Sequence, residues 1–262
     1  MAGRYVALGS SMAAGPGIMP RAQGSPRLAG RSARNYPHQI AGRQGYRLVD
    51  VTYSGATTAH ILTDSHNNDP PQIDALDGTE ELVTVTVGGN DVGYVPFLVA
   101  ASLPHILRAL PVVGRALDAL LDPNKREEAL AGIGKSLRAV GEQVRDRAPR
   151  ARVIFVDYLS LLPPEGQPAP PYTLQQSTTG HRIAAALAAA TAATAEAAQA
   201  AGCEIVHAST ASADHHAWSA RPWTTRPAIP WPWRPAPLHP NEDGMTAVAD
   251  LVVALLNAAS ND

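Results

Sequence analysis

The chain reads as an α/β protein built on a parallel sheet with helices on both faces. Three observations carry that reading. Apolar β-type runs alternate with segments of helical period. The run Leu82–Val87 is rich in β-branched residues and uninterrupted, which suits a strand buried on both faces inside a parallel sheet. Ser11, Gly55 and Asn90 each stand just past such a run. Alternating strands and helices favour right-handed crossovers, which bring all strand carboxyl ends to one edge.

Taken in order, Arg4–Leu8 is the first strand, Asn35–Arg43 a short helix and Arg47–Tyr53 the second strand. Leu82–Val87 is the third. Two helical stretches follow, about Ala101–Leu121 and Lys125–Arg147, separated by Pro123-Asn124; in the second, Ala129, Ile133, Leu137, Val140 and Val144 recur at helical spacing. Arg152–Tyr158 is the fourth strand, and Pro163–Pro171 a proline-rich loop. Ser177–Ala201 is alanine-rich and strongly helix-forming, Glu204–His207 is the fifth strand, and Glu242–Asn257 a closing helix with Asn241 as its N-cap. The central sheet is therefore expected to have five parallel strands.

With 262 residues, the chain fits one large domain spanning 1–262, with core enough to need no disulfide or metal staple. Lys+Arg is 21 against Asp+Glu 23, without a block of either sign, so neither nucleic-acid nor anionic-membrane binding is suggested by composition. The lone cysteine, Cys203, lies in an apolar run and excludes an internal disulfide. No leader or spanning stretch is read, so neither stable membrane insertion nor export is expected; cytoplasmic residence is the simplest expectation, although an exported chain trimmed of its leader reads the same. Nothing in the sequence sets the oligomeric state.

Four blocks bear chemistry: Gly9-Ser10-Ser11-Met12, Tyr53-Ser54-Gly55-Ala56-Thr57, Gly88-Gly89-Asn90-Asp91 and Leu238-His239-Pro240-Asn241. A serine at a strand's carboxyl end sits where ligands bind in such sheets, but it needs a base to become a nucleophile. A histidine supplies that base near neutral pH. Acyl transfer places negative charge on a carbonyl oxygen, which preorganised N–H groups must meet; Gly55, Asn90 and the Ser11 backbone offer them. Taken singly, each residue has an ordinary structural reading, as an N-cap serine, turn residues and a surface histidine.

Together, and in this order, the four blocks resemble those of the SGNH (GDSL-type) hydrolase family, its actinobacterial members in particular, over nearly the whole chain. The resemblance implies a flavodoxin-like three-layer α/β/α sandwich, Ser11 as nucleophile, His239 as base, and Ser11 N–H, Gly55 N–H and Asn90 as the oxyanion hole. It implies a small-molecule ester substrate and no cofactor or metal. Two departures stand out. The family signature reads Gly-Asp-Ser, and here its middle residue is Ser10. The family's triad acid lies three residues before the histidine, where this chain has Ala236. Some relatives use a backbone carbonyl at that point, so the expectation is that the Ala236 carbonyl orients His239 through Nδ1–H, with Asp214 the rival acid.

All four tryptophans lie between Trp218 and Trp233, in a proline-rich segment leading to His239. They read either as an apolar wall for an acyl chain, with Trp218, Trp223 and Trp231 the candidates, or as anchors pinning an irregular loop. The resulting expectation is a serine esterase. The alternatives are an acyltransferase or thioesterase using the same serine, and a catalytically silent binding domain on the same fold. A phosphate binder built on Gly9…Gly15-Pro16-Gly17 matches no phosphate-loop spacing.

Overall fold

In the computed structural model, residues 2–104, 111–197 and 203–258 are described. The elements run β1 (Arg4–Gly9), α1 (Ser11–Ala14), α2 (Tyr36–Gln44), β2 (Arg47–Asp50), α3 (Thr58–Leu62), β3 (Glu80–Thr86), α4 (Tyr94–Ser102) and α5 (Pro111–Leu121). Then follow α6 (Pro123–Arg147), β4 (Arg152–Val156), α7 (Leu174–Ala197), β5 (Cys203–Val206), α8 (Ala208–Ala211) and α9 (Glu242–Ala258). The five strands pair all parallel in the order β2-β1-β3-β4-β5.

Alternation along each strand builds the three layers. Val6, Leu8, Val83, Val85, Val153 and Phe155 face one core, shared with Ile133, Leu137, Val140 and Val144 of α6 and Ile183 and Leu187 of α7. Tyr5, Ala7, Leu82, Ile154 and Val156 face the other, shared with Tyr36 and Ile40 of α2 and Met245, Val248 and Val252 of α9. No helix among the described residues is long and apolar enough to cross a membrane.

Boundaries differ from the expected ones for identifiable reasons. The second strand ends at Asp50 rather than Tyr53; past it Val51 and Tyr53 N–H still donate to Ala7 O and Gly9 O of β1, while the Asp50 carboxylate holds Thr52 N–H (3.0 Å) and Oγ1 (2.6 Å) in a local side-chain turn. Pro123 does not separate helices but opens α6 at its first position, with Asp122 as N-cap accepting from Asn124 N–H. The long α7 begins at Leu174, because Thr173 and Gln176 exchange side-chain–backbone hydrogen bonds in a capping box. The expected helix 101–121 breaks after Ser102: Leu103 precedes Pro104 and is extended (φ −76°, ψ 144°). Its middle, 105–110, and the expected end of the alanine-rich helix, 198–201, lie outside the described residues.

Candidate active site

The parallel sheet places three of the four blocks on one edge. β1 ends at Gly9 (φ 151°), where a Cβ would meet Thr86 O at 2.5 Å, so a side chain is excluded where β1 runs closest to β3. Gln72 fixes this turn with its amide, accepting from Gly9 N–H (2.7 Å) and donating to Gly9 O (3.0 Å). Ser10 takes the N-cap position of α1 and Ser11 its first helical position. Ser11 is buried, at 8% exposed, and its backbone N–H, being the first of the helix, has no donor role within the described residues.

Ser10 stands where the family signature has an aspartate, and its side chain does not cap α1. Its hydroxyl meets Tyr158 OH at 2.9 Å, and Gly89 N–H donates to the same phenol oxygen at 3.0 Å. Tyr158, just past β4, thus ties the serine turn to the Gly-Gly-Asn-Asp loop. Burial pushes its pKa up to about 12, so the phenol keeps its proton across any working pH. Gly89 is required here, since a Cβ would stand 2.3 Å from the Tyr158 ring.

The second and third blocks hold each other. Asn90 Nδ2 donates to Ala56 O (2.8 Å), and the Asp91 carboxylate accepts from Thr58 N–H at the start of α3 (3.1 Å) and from the Thr58 hydroxyl. Only one Asn90 amide hydrogen is used in that bond, leaving the second. Gly55 (φ 85°) makes the turn just before these contacts, closed by Ala56 N–H donating to Tyr53 O, and its own N–H likewise has no acceptor within the described residues.

His239 reaches the serine from the last loop. Its Nε2 lies 2.8 Å from Ser11 Oγ, and its Nδ1 lies 2.7 Å from Pro237 O. A carbonyl only accepts, so Nδ1 carries the proton and Nε2 presents its lone pair to the serine hydroxyl. The expected acceptor was the Ala236 carbonyl; the structure puts Pro237 there instead. The Ala236 carbonyl is taken by Thr225 Oγ1 (2.7 Å), while Ala236 N–H donates to Pro16 O. Leu238 explains the switch. It adopts a left-handed conformation (φ 59°), which turns the chain so that the Pro237 carbonyl and the His239 ring, two residues apart, face each other. That conformation costs about 1–2 kcal/mol, and burying the leucine side chain, which is fully enclosed in the core, offsets it by a similar amount. Asp214 is exposed in a short 3-10 turn and makes no contact with His239; the histidine it acts on electrostatically is His216.

Burial lowers the pKa of His239 below the ordinary value of 6.5, and the Pro237 carbonyl, which favours the cation, opposes this in part. Although the ring is deep among protein atoms, part of its surface opens on two adjoining apolar cavities. The smaller, about 390 Å³, is lined by Ser11, Gly55, Asn90, Ala236 and His239 among others. The larger, about 650 Å³, runs past Val95, Val99 and Leu103 on one side and Pro227, Ile229 and Pro237 on the other, and also reaches His239.

The tryptophans do not form that wall. Trp218 packs edge-on to Tyr172 (6.0 Å between centroids) and donates its indole N–H to Pro170 O. Trp223 lies flat on the His215 ring (4.0 Å, 1°) and packs against the second core. Trp231 is 69% exposed. Packing against the nearest rings, with a carbonyl acceptor for the Trp218 N–H, claims the first two indoles, and the apolar wall is built instead by the prolines and Ile229 of the same loop. Tyr158, Gln72, Thr225 and Pro237 went unrecognised in the sequence. Tyr158 alone carried a signal, a polar-tipped side chain closing the fourth β-run on the edge that holds Ser11 and Asn90.

Comparison with known proteins agrees with this architecture. Lipase 2 of Streptomyces coelicolor is 35% identical over 175 residues, covering 63% of this chain and 55% of that protein. The chain spans about half the length of the curated relatives it matches. Two solved structures superpose over 97% of this chain and 99% of their own, each at 23% identity: the phospholipase A1 of Streptomyces albidoflavus (TM-score 0.76) and the extracellular lipase of Streptomyces rimosus (TM-score 0.78). They share its α/β fold. The profile of the GDSL-like lipase/acylhydrolase family matches residues 7–247. With that match running from β1 into α9, the chain belongs to the GDSL-like lipase/acylhydrolase family.

Proposed function

We propose that the protein is a serine hydrolase of carboxylic esters with an apolar acyl group. The observation that carries this reading is the Ser11 Oγ–His239 Nε2 contact of 2.8 Å, with Nδ1 held by Pro237 O, opening on the apolar cavities. His239 takes the hydroxyl proton as Ser11 Oγ attacks the ester carbonyl. The oxyanion rests on Ser11 N–H, Gly55 N–H and the free Asn90 amide hydrogen. His239 returns the proton to the leaving alcohol, and water then cleaves the acyl-serine by the reverse path. The Pro237 carbonyl fixes the tautomer, which in a carboxylate triad is the larger part of the acid's contribution.

The relatives' names, lipase and phospholipase A1, support an ester of lipid type. Cytoplasmic residence belongs to the same proposal; fractionation of expressing cells tests it. The decisive experiment is labelling with a fluorophosphonate and peptide mapping. Adduct on Ser11, lost in Ser11→Ala together with ester turnover, is expected. A folded protein that takes no label at Ser11 while hydrolysing esters overturns the assignment.

A further inference from the structure

Seven large apolar side chains are 40% exposed or more among the described residues, and three of them, Ile229 (87%), Trp231 (69%) and Trp233 (74%), fall in one short stretch. Two others, Val99 and Leu120, line the cavities beside His239. Three of the seven therefore line the cavities beside His239, and two more closely follow Ile229 in the chain, a concentration that is uncommon on a surface that meets only water. Trp233 is also left-handed (φ 67°), a strained conformation that here holds an exposed indole outward and gains no packing. Prolines at 227, 230, 232 and 235 stiffen the stretch, so presenting the rings costs little further entropy.

Charge identifies the occupant. The chain carries a net −2, yet no acid lies between Asp214 and Glu242, while Arg221, Arg226 and Arg234 do, all exposed. The Arg221 and Arg234 side chains make no ion pair within the described residues. Exposed indoles in one acid-free stretch with exposed guanidinium groups, Arg234 directly following Trp233, match the boundary between anionic headgroups and acyl chains.

We propose that the segment Pro227–Arg234 is an interfacial lip that docks the molecule on an anionic phospholipid surface. Trp231 and Trp233 enter the headgroup layer, Arg221 and Arg234 meet phosphates, and the apolar cavity opens onto the lipid. Docking requires no bond to be made or broken, so it stands or falls apart from the esterase reading. The test is co-sedimentation of the full chain carrying Ser11→Ala with vesicles of phosphatidylglycerol and phosphatidylcholine, and of phosphatidylcholine alone. The protein is expected to sediment with the anionic vesicles and to be released by salt. Adding Trp231→Ala and Trp233→Ala should lower the partition coefficient roughly tenfold or more. In an otherwise unaltered chain, the same pair should leave the melting temperature and turnover of a water-soluble short ester unchanged. Absence of sedimentation with anionic vesicles, or equal sedimentation with and without the two indoles, overturns the proposal. So does a dimer, seen by sedimentation velocity without vesicle binding, that the two alanines dissociate, since the occupant is then a second copy.

Discussion

Replacing Tyr158 by phenylalanine removes one oxygen and leaves the ring in place. That oxygen serves two buried partners on different loops, Ser10 Oγ at 2.9 Å and Gly89 N–H at 3.0 Å. Ser10 is 1% exposed and Gly89 is buried, so water does not readily replace the phenol. Each stranded buried group costs about 1–3 kcal/mol, giving a loss of roughly 2–6 kcal/mol for the pair. For a chain of this size that lowers Tm by roughly 4–24 °C. The lost link also joins the turn carrying Ser11 to the loop carrying Asn90, so the nucleophile and one oxyanion donor lose their fixed separation. A misplacement of about an ångström can reduce kcat by about 10²-fold, so kcat is expected to fall by about 10–100-fold. The apolar cavities do not include Tyr158, so KM should hardly move. Thermal melts followed by circular dichroism and steady-state hydrolysis of a soluble ester measure both effects. A Tyr158→Phe protein with parental Tm and parental kcat refutes the argument that this phenol couples the two loops.

Other expectations are equally concrete. The base form of His239 is required and its pKa lies below 6.5, so kcat/KM should fall on the acid side only below that pH and stay level from there to neutrality; a limb centred above 7 contradicts the burial argument. Asn90→Ala should cost about 10²–10³ in kcat, with little change in KM. Asp214→Asn should leave turnover within a small factor of the parent, because the residue is exposed and remote from His239; a large fall with folding intact would restore it as the acid. Trp223→Ala should lower Tm by several degrees and leave acyl-length preference unchanged, since the indole is stacked on His215 rather than in the groove; a shifted preference profile at constant Tm counts against that placement.

Much of this molecule was legible in local patterns. Apolar, β-branched runs marked the strands, and the strand–helix succession implied a parallel sheet whose carboxyl ends bring Ser11, Gly55 and Asn90 to one edge. These are short-range properties of the chain, and tertiary packing agrees with them. The differences arise where a residue's partner is distant. The group facing His239 Nδ1 is a backbone carbonyl, as expected, but it is that of Pro237, one residue from Ala236. That choice depends on the left-handed Leu238, which a buried side chain stabilises, and on Thr225, eleven residues before Ala236, which holds the Ala236 carbonyl. The indoles illustrate the same limit. Sequence placed four of them beside His239, but which rings are buried depends on where Tyr172, Pro170 and His215 lie in space.

The sequence by itself therefore determined the fold, the order of the blocks and the residue types gathered at the edge, because periodicity and block order are written in neighbouring residues. Only the tertiary structure decided which carbonyl orients the imidazole, which phenol locks the serine turn, and which rings stay in water. Each of those outcomes is a competition among hydrogen-bond and packing partners far apart in the chain, and it is settled by distances that exist only once the chain is folded.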